Sequence, residues 1–172
     1  GDSAFVKQFC NQFRLISTVL YNPEIAKSFI ELKNKIIASE DFKQVLEKLK
    51  YVPTQIELLV LMLQSKDFEA LLLAKCETDE GLMPYKDLVQ DFIFMFKQFY
   101  LFQVASKQFE PLLKTSPHFV EFMNLMPLAI AELVSYLACL EAGVVEDDDV
   151  LNERIHNGIL VRCAACYGRV VM

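Results

Sequence analysis

The fold is decided by one short stretch of the chain, which reads Ser39-Glu40-Asp41-Phe42-Lys43-Gln44-Val45-Leu46-Glu47-Lys48-Leu49. Its serine can accept hydrogen bonds from the free N–H groups of a first helical turn, and the two acidic residues that follow favour that end of a helix. Its apolar residues recur at spacings of three and four, which places them on one helical face. The stretch therefore predicts a short amphipathic helix that begins after Ser39.

The same start signal recurs along the chain. Asn22-Pro23-Glu24, Ser65-Lys66-Asp67 and Ser116-Pro117 each place a capping side chain before a proline or an acidic residue and then an apolar run. Stop signals alternate with them, because Pro53 disfavours helix at the residue before it and Gly143 follows the last long apolar run. These signals predict a succession of helices.

The composition agrees with an all-α, soluble, single domain over residues 1–172. Apolar residues make up 53% of the chain, with 14 Phe, no Trp and 5 Gly, and the mean hydropathy is +0.27. Residues 88–102 are apolar around nearly the whole helical circumference, which predicts a buried helix. The chain carries more apolar residues than a compact core of this size needs, so a ligand, a partner or a membrane must cover the excess.

A membrane span is disfavoured as that cover. The best candidate, Phe122 to Leu140, is interrupted by Asn124, Pro127 and Glu132, whereas a bilayer demands uninterrupted apolar length. Instead, we expect helices over 119–123 and over 130–142. Nucleic acid is also disfavoured, because the net charge is −6 and no basic cluster with exposed aromatic residues is seen.

The chain matches itself at an offset of 77 residues. A duplication of this kind predicts one domain made of a first helical repeat over about 4–76, a linker over about 77–84 and a second helical repeat over about 85–172. The matched pairs are Ser39 with Ser116, Phe42 with Phe119, Val45 with Phe122, Leu46 with Met123, Leu49 with Met126, Ile56 with Leu133, Leu59 with Tyr136 and Leu63 with Leu140.

The two halves resemble the insect allergen repeat, the family of the major cockroach allergen, the midgut microvillar proteins and the nitrile-specifier proteins. In the first half the resemblance rests on Ser39 to Leu46, followed by Val52-Pro53, Leu59 and Leu63. In the second half it rests on Ser116-Pro117-His118-Phe119, then Leu133 to Leu140, then Glu141-Ala142-Gly143-Val144, then Leu151-Asn152-Glu153-Arg154-Ile155-His156. Together these segments span most of the chain.

The resemblance implies a fold in which two repeats of several short helices form a capsule around a large hydrophobic cavity. It also implies a secreted protein of the gut lumen or microvillar surface that binds fatty acids or phospholipid-like molecules and contacts membrane surfaces to exchange them. The first residues of this sequence do not form a signal peptide. The residues expected to line the cavity are Phe42, Val45, Leu46, Leu49, Ile56, Leu59, Leu63, Phe92, Phe96, Phe119, Phe122, Met123, Leu133, Tyr136 and Leu140.

The chain departs from the family pattern at two points. Ile130 stands where the offset places the equivalent of Pro53, with Pro127 three residues earlier, which predicts a reshaped cavity. Near residue 165 the chain also carries Cys163-Ala164-Ala165-Cys166, a spacing found in redox motifs and half-zinc sites. Neither the strand of a redox motif nor four zinc ligands accompany it, so packing or a structural disulfide is favoured.

No residue pattern predicts catalysis, a metal or a cofactor. His118 and His156 are expected to face solvent or interact with helix termini. Cys10, Cys76 and Cys139 lie on apolar faces, where a thiol acts as a small hydrophobe. The run Asp147-Asp148-Asp149 is expected to begin a helix, because an EF-hand loop counted from Asp147 would need a glycine where Asn152 stands.

Lipid binding is therefore the leading hypothesis, because it explains the apolar excess. Two alternatives stay open at this point. One is a nitrile-specifier activity on glucosinolate breakdown products, which the resemblance implies. The other is a helical module, similar to viral apoptosis regulators, that binds amphipathic partner helices in an open apolar groove.

Overall fold

The computed structural model describes residues 4, 17–63, 65–144 and 146–170, with side chains left out for six of them in the segment 55–67. Within these ranges the chain forms helices and no strand, so the predicted all-α class is confirmed. A 3-10 turn, Met83–Tyr85, lies between the fourth and fifth helices. The nine helices of the described part are α1 Pro23–Ile37, α2 Glu40–Glu47, α3 Gln55–Leu63, α4 Lys66–Thr78, α5 Lys86–Val104, α6 Glu110–Thr115, α7 Pro117–Glu141, α8 Asp148–Asn157 and α9 Ile159–Val170.

The predicted helix starts are found in the structure. The Ser39 Oγ accepts a hydrogen bond from the Phe42 N–H at 3.3 Å, and the Ser116 Oγ accepts one from the Phe119 N–H at 3.2 Å. At the other end of α7, Gly143 adopts a φ of 80° and the Val144 N–H donates to the Cys139 carbonyl at 2.9 Å. This is the left-handed glycine termination that the sequence predicts.

Helix α7 is the centre of the molecule. It packs most extensively against α9 and also contacts α1, α3 and α6, so the two predicted halves share one hydrophobic core. The residues that it buries are Phe119, Phe122, Leu125, Met126, Ala129, Ile130, Leu133, Tyr136 and Leu137.

The expectation of separate helices over 119–123 and 130–142 is wrong, because α7 runs without a break through Pro127. A proline inside a helix removes one hydrogen bond and costs about 3 kcal/mol. The burial of nine side chains along α7 offsets that cost, since a fully buried large apolar side chain contributes about 1.5–3 kcal/mol. Packing therefore overrides the local break signal.

The two segments that match at an offset of 77 residues differ in structure. Residues 39–63 form two helices, α2 and α3, with a non-helical segment between them, whereas residues 116–140 lie almost entirely within the single helix α7. The predicted duplication is not confirmed by the fold and stays a prediction.

The length and hydropathy of α7 would suffice to cross a membrane. A buried core helix meets the same criterion, and α7 contacts four other helices.

The helix predicted over 88–102 corresponds to α5, but its expected complete burial is wrong. Phe94, Leu101 and Val104 are exposed along one side of α5, with Val104 at 61%.

Candidate ligand-binding site

Most of the predicted cavity-lining residues fill the core. Four are only partly buried, namely Leu46, Leu49, Met123 and Leu140, and Val45 is 43% exposed. The side chains of Ile56 and Leu63 lie outside the described residues. The fully buried members of the predicted set are Phe42, Leu59, Phe92, Phe96, Phe119, Phe122, Leu133 and Tyr136.

Aromatic contacts account for part of this filling. The Phe102 ring lies with its centroid 5.0 Å from that of Phe119, and the Phe99 ring lies 6.1 Å from that of Phe122, both edge to face. The Phe122 ring also lies 5.4 Å from the Tyr167 ring of α9. These rings join α5, α7 and α9 by direct packing, so the large cavity expected among the predicted residues is not confirmed.

A pocket of about 220 Å³ opens between α1, α3 and α7, where the two halves meet. Its floor is apolar, because Leu59 and Leu137 are each 3% exposed and Val134 is half-buried. We name it the seam pocket, and its lining residues are Lys33, Leu59, Val134, Leu137, Ala138 and Glu141.

Two small apolar voids adjoin the seam pocket, each of about 10 Å³. The first, the α1 void, lies against Phe29 and shares Leu137 with the seam pocket. The second, the α5 void, lies against Phe92 and Phe96 and shares Leu59 with the seam pocket. Leu133 lines both voids. Leu137 and Leu59 therefore lie between the seam pocket and the two inner voids, and Leu133 lies between the voids themselves.

A charged pair borders the mouth of the seam pocket. The Lys33 ammonium donates to the Glu141 carboxylate, and the side chains are 16% and 36% exposed. An apolar floor with one cation and one anion at the entrance is an amphipathic arrangement. It is suited to a ligand with an apolar body and a polar end.

A second groove, of about 280 Å³, lies between α1, α2 and α3. We name it the α2 groove, and its lining residues are Ile36, Ser39, Asp41, Phe42, Val45, Leu61 and Ser65. Two of the predicted lining residues lie here: Phe42, which also belongs to the core, and Val45, which is exposed. The groove is open, with an apolar floor and a rim that carries two hydroxyl groups and one carboxylate.

The most elaborate polar cluster surrounds Arg154 of α8. Its guanidinium donates to Glu146 through two nitrogens, at 2.9 Å and 2.6 Å, and to Glu132 of α7 at 2.9 Å. The Tyr21 hydroxyl donates to the same Glu132 oxygen at 3.3 Å. The hydrogen bonds to Glu146 raise the pKa of Arg154, and burial raises the pKa of Tyr21. Every charge here has a partner, so the cluster fastens α8 and the Tyr21 segment to α7.

The cysteine pair near the chain end is not arranged for reactivity. Cys163 and Cys166 are buried free thiols of α9, and the Cys163 Sγ lies 3.4 Å from the Met126 Sδ. Burial raises the pKa of Cys163 strongly and that of Cys166 to about 11. Since the thiolate is the reactive and metal-binding form, the favoured packing role agrees with this environment. Cys10 lies outside the described residues.

The other polar candidates lie at helix ends. His118 and His156 are exposed near the start of α7 and the end of α8, and the Asp147 carboxylate accepts from the Asp149 N–H at 2.8 Å as the cap of α8. Among the described residues, no group of three or more His, Cys, Asp or Glu side chains could hold a metal ion.

Of the six residues that line the seam pocket, the sequence predicted only Leu59 and missed the other five. Leu137 lies one helical turn after Leu133 on the same face of α7, so the helical period that selected Leu133 could have found it. Lys33 and Glu141 carried no signal, because their pairing joins residues 108 positions apart.

In comparisons with protein-family models, curated proteins and solved structures, no match to the chain was found.

Proposed function

We propose that this protein binds single-chain lipids, such as fatty acids or lysophospholipid-like molecules, with the acyl chain in the seam pocket. The observation that carries the proposal is the sharing of Leu59 and Leu137 between the seam pocket and the two inner voids. The seam pocket alone, at about 220 Å³, lies below the usual range of small-molecule sites, about 300–1,000 Å³. Each void adds only about 10 Å³, so an acyl chain extends beyond the pocket by displacing these leucine side chains rather than by filling empty space.

The driving force is burial of methylene groups, at about 0.8 kcal/mol each. Such a site recognises chain length more than chemical identity, because its walls are leucine, valine and phenylalanine side chains. Solvent extraction of the purified protein followed by mass spectrometry is expected to release a mixture of single-chain lipids. Extracts without lipid, together with no binding of the neutral dye N-phenyl-1-naphthylamine, would contradict the proposal.

A blocking variant locates the site. Ala138 is exposed and lines the seam pocket, so a phenylalanine there fills the mouth without altering the core. Ala138→Phe is expected to weaken dye binding at least tenfold with an unchanged unfolding temperature. The matched control is Ala74→Phe on the exposed face of α4, which should bind the dye normally. Equal effects of the two variants would place the dye elsewhere.

Membrane-surface contact for lipid exchange is part of the proposal. The feature that supports it is the exposed side of α5, where Phe94, Leu101 and Val104 present apolar surface. The variant Phe94→Ser is expected to slow transfer of a bound fluorescent fatty acid to phosphatidylcholine vesicles while leaving its affinity unchanged. An unchanged transfer rate would remove this helix from the exchange step.

A second candidate function is binding of an amphipathic partner helix, and the α2 groove is the observation that favours it. Its open shape and apolar floor of Ile36, Phe42 and Leu61 suit a helix laid along α2. If this is the function, a designed amphipathic peptide displaces N-phenyl-1-naphthylamine and decanoate does not. The lipid-binding proposal expects the reverse.

A further inference from the structure

The Lys33–Glu141 pair lies where the polar end of a lipid in the seam pocket would emerge. Among the described residues that line this pocket, Lys33 is the only cation and Glu141 is the only anion. Lys33 is the more buried partner, at 16% exposed against 36% for Glu141. The cation is therefore held at the pocket, while the carboxylate reaches it from the solvent side.

The helix dipole acts in opposite directions on the charges of Glu141 and Lys33. Glu141 is the last residue of α7, and a carboxylate at the C-terminal end of a helix is repelled by the negative end of the helix dipole. The Lys33 ammonium contacts this carboxylate, so the same end of α7 favours its positive charge. The field of α7 therefore stabilises Lys33 and opposes Glu141.

A second carboxylate can therefore replace Glu141 at small cost. Lys33 keeps an anionic partner throughout, so no half-buried cation is left unpaired. Glu141 returns to solvent, which it already contacts, and moves away from the negative end of α7. A neutral headgroup cannot take part in this exchange, because it does not replace the negative charge of Glu141 as the partner of Lys33.

We propose that Lys33 is the headgroup-binding residue of the seam pocket, that the ligand class is single-chain lipids with an anionic head, and that Glu141 competes with the ligand for Lys33. This inference rests on the proposed lipid-binding function and adds its specificity. Lys33 at the mouth then selects the charge of the lipid head, and the leucines at the floor select the length of the acyl chain.

The test compares an acid and an alcohol of equal chain length. Decanoate and decanol each displace N-phenyl-1-naphthylamine from the wild-type chain, from Lys33→Met and from Glu141→Gln at neutral pH. Lys33→Met is expected to weaken decanoate binding about tenfold, since a charge-assisted contact is lost. Glu141→Gln is expected to strengthen decanoate binding about threefold, and decanol should change less than about twofold in both variants.

The matched control is Glu69→Gln, which breaks the Lys97–Glu69 pair on the surface between α4 and α5. Glu69 lies near the N-terminal end of α4, so its carboxylate is favoured there, and neither residue lines the seam pocket. This variant should bind both ligands as the wild type does. Thermal unfolding of every variant separates a folding defect from a binding defect.

Opposite signs for Lys33→Met and Glu141→Gln, confined to decanoate, would support the inference. Equal weakening of decanoate and decanol by Lys33→Met in a folded variant, or weaker decanoate binding by Glu141→Gln, would overturn it while leaving lipid binding intact. Failure of the wild-type chain to bind the dye, decanoate and decanol would overturn the proposed function and this inference together.

Discussion

Lys33 on α1 and Glu141 at the end of α7 form an ion pair between residues 108 positions apart in the chain. The pair joins the first half of the chain to the second at the mouth of the seam pocket. Directly beneath it, Leu59 and Leu137 form a floor that is almost fully buried. Charge at the entrance and leucine at the floor together define the site on which the proposed function depends.

The inner voids make Leu133 a test of channel length. Leu133→Ala removes the side chain that lines both voids and is expected to lower the free energy of unfolding by about 2–5 kcal/mol. The enlarged space should favour tetradecanoate over decanoate more strongly than in the wild type, as measured by dye displacement. Leu113→Ala on the exposed side of α6 is the control and should change neither quantity. An unaltered chain-length preference in a folded Leu133→Ala variant would mean that ligands do not reach the voids.

The Arg154 cluster is expected to be a structural fastening. Arg154→Ala leaves the part-buried carboxylates of Glu132 and Glu146 without their cation, so urea denaturation should show a loss of about 2–3 kcal/mol. Lys43→Ala breaks an exposed pair with Glu40 and should cost less than about 0.5 kcal/mol. Comparable losses in the two variants would show that the cluster contributes no more than a surface pair.

Substitution of Tyr136 tests whether its side chain packs in the core or lines a ligand site. Its hydroxyl donates to the Tyr21 carbonyl at 3.0 Å, and the two rings lie edge to face at 4.9 Å. Tyr136→Phe is expected to lower the free energy of unfolding by about 1 kcal/mol, because a buried carbonyl loses its donor. Dye affinity should not change. Weaker dye binding at unchanged stability would instead make Tyr136 part of the ligand site, as the sequence predicts.

The buried thiols of α9 predict a loss of stability in alkaline solution. Burial raises the pKa of Cys163 and Cys166, the latter to about 11, above the ordinary thiol value of about 8.5. As the pH rises, thiols of the unfolded chain lose their protons first, so the unfolded state is favoured. The stabilising effect is complete below about pH 8 and declines as the pH approaches the folded-state values.

The measurement is urea denaturation at about pH 7 and about pH 9, a window in which ordinary tyrosines stay about nine-tenths protonated or more. The wild type should lose stability between the two, and the double variant Cys163→Ala/Cys166→Ala should lose less. Identical pH dependence in both proteins would show that these thiols titrate normally.

Helix starts could be predicted from single residues, whereas helix continuation could not. Ser39, Ser65 and Ser116 act within three residues, and each caps the helix that its local sequence predicts. Pro127 also acts locally, but burial along the whole of α7 outweighs it. A local break signal fails where many distant contacts oppose it.

The candidate site was predictable only in part. Leu59 and Leu133 carry a periodic signal and do lie at the seam pocket or its voids. Val45 carries the same periodic signal but lies at the open α2 groove. Periodicity identifies the apolar face of a helix and does not say which other helix packs against that face. The cover depends on how α1, α3 and α7 pack, and that arrangement has no local signature.

A methyl NMR titration of the protein with decanoate tests most directly whether the seam pocket binds an acyl chain. If it does, the methyl signals of Leu59, Leu133 and Leu137 shift together and show nuclear Overhauser contacts to the acyl chain. The methyl signals of Val45 and Leu61 at the α2 groove should stay unchanged. Shifts confined to Val45 and Leu61, or no shifts at saturating decanoate, would contradict lipid binding at the seam between the two halves.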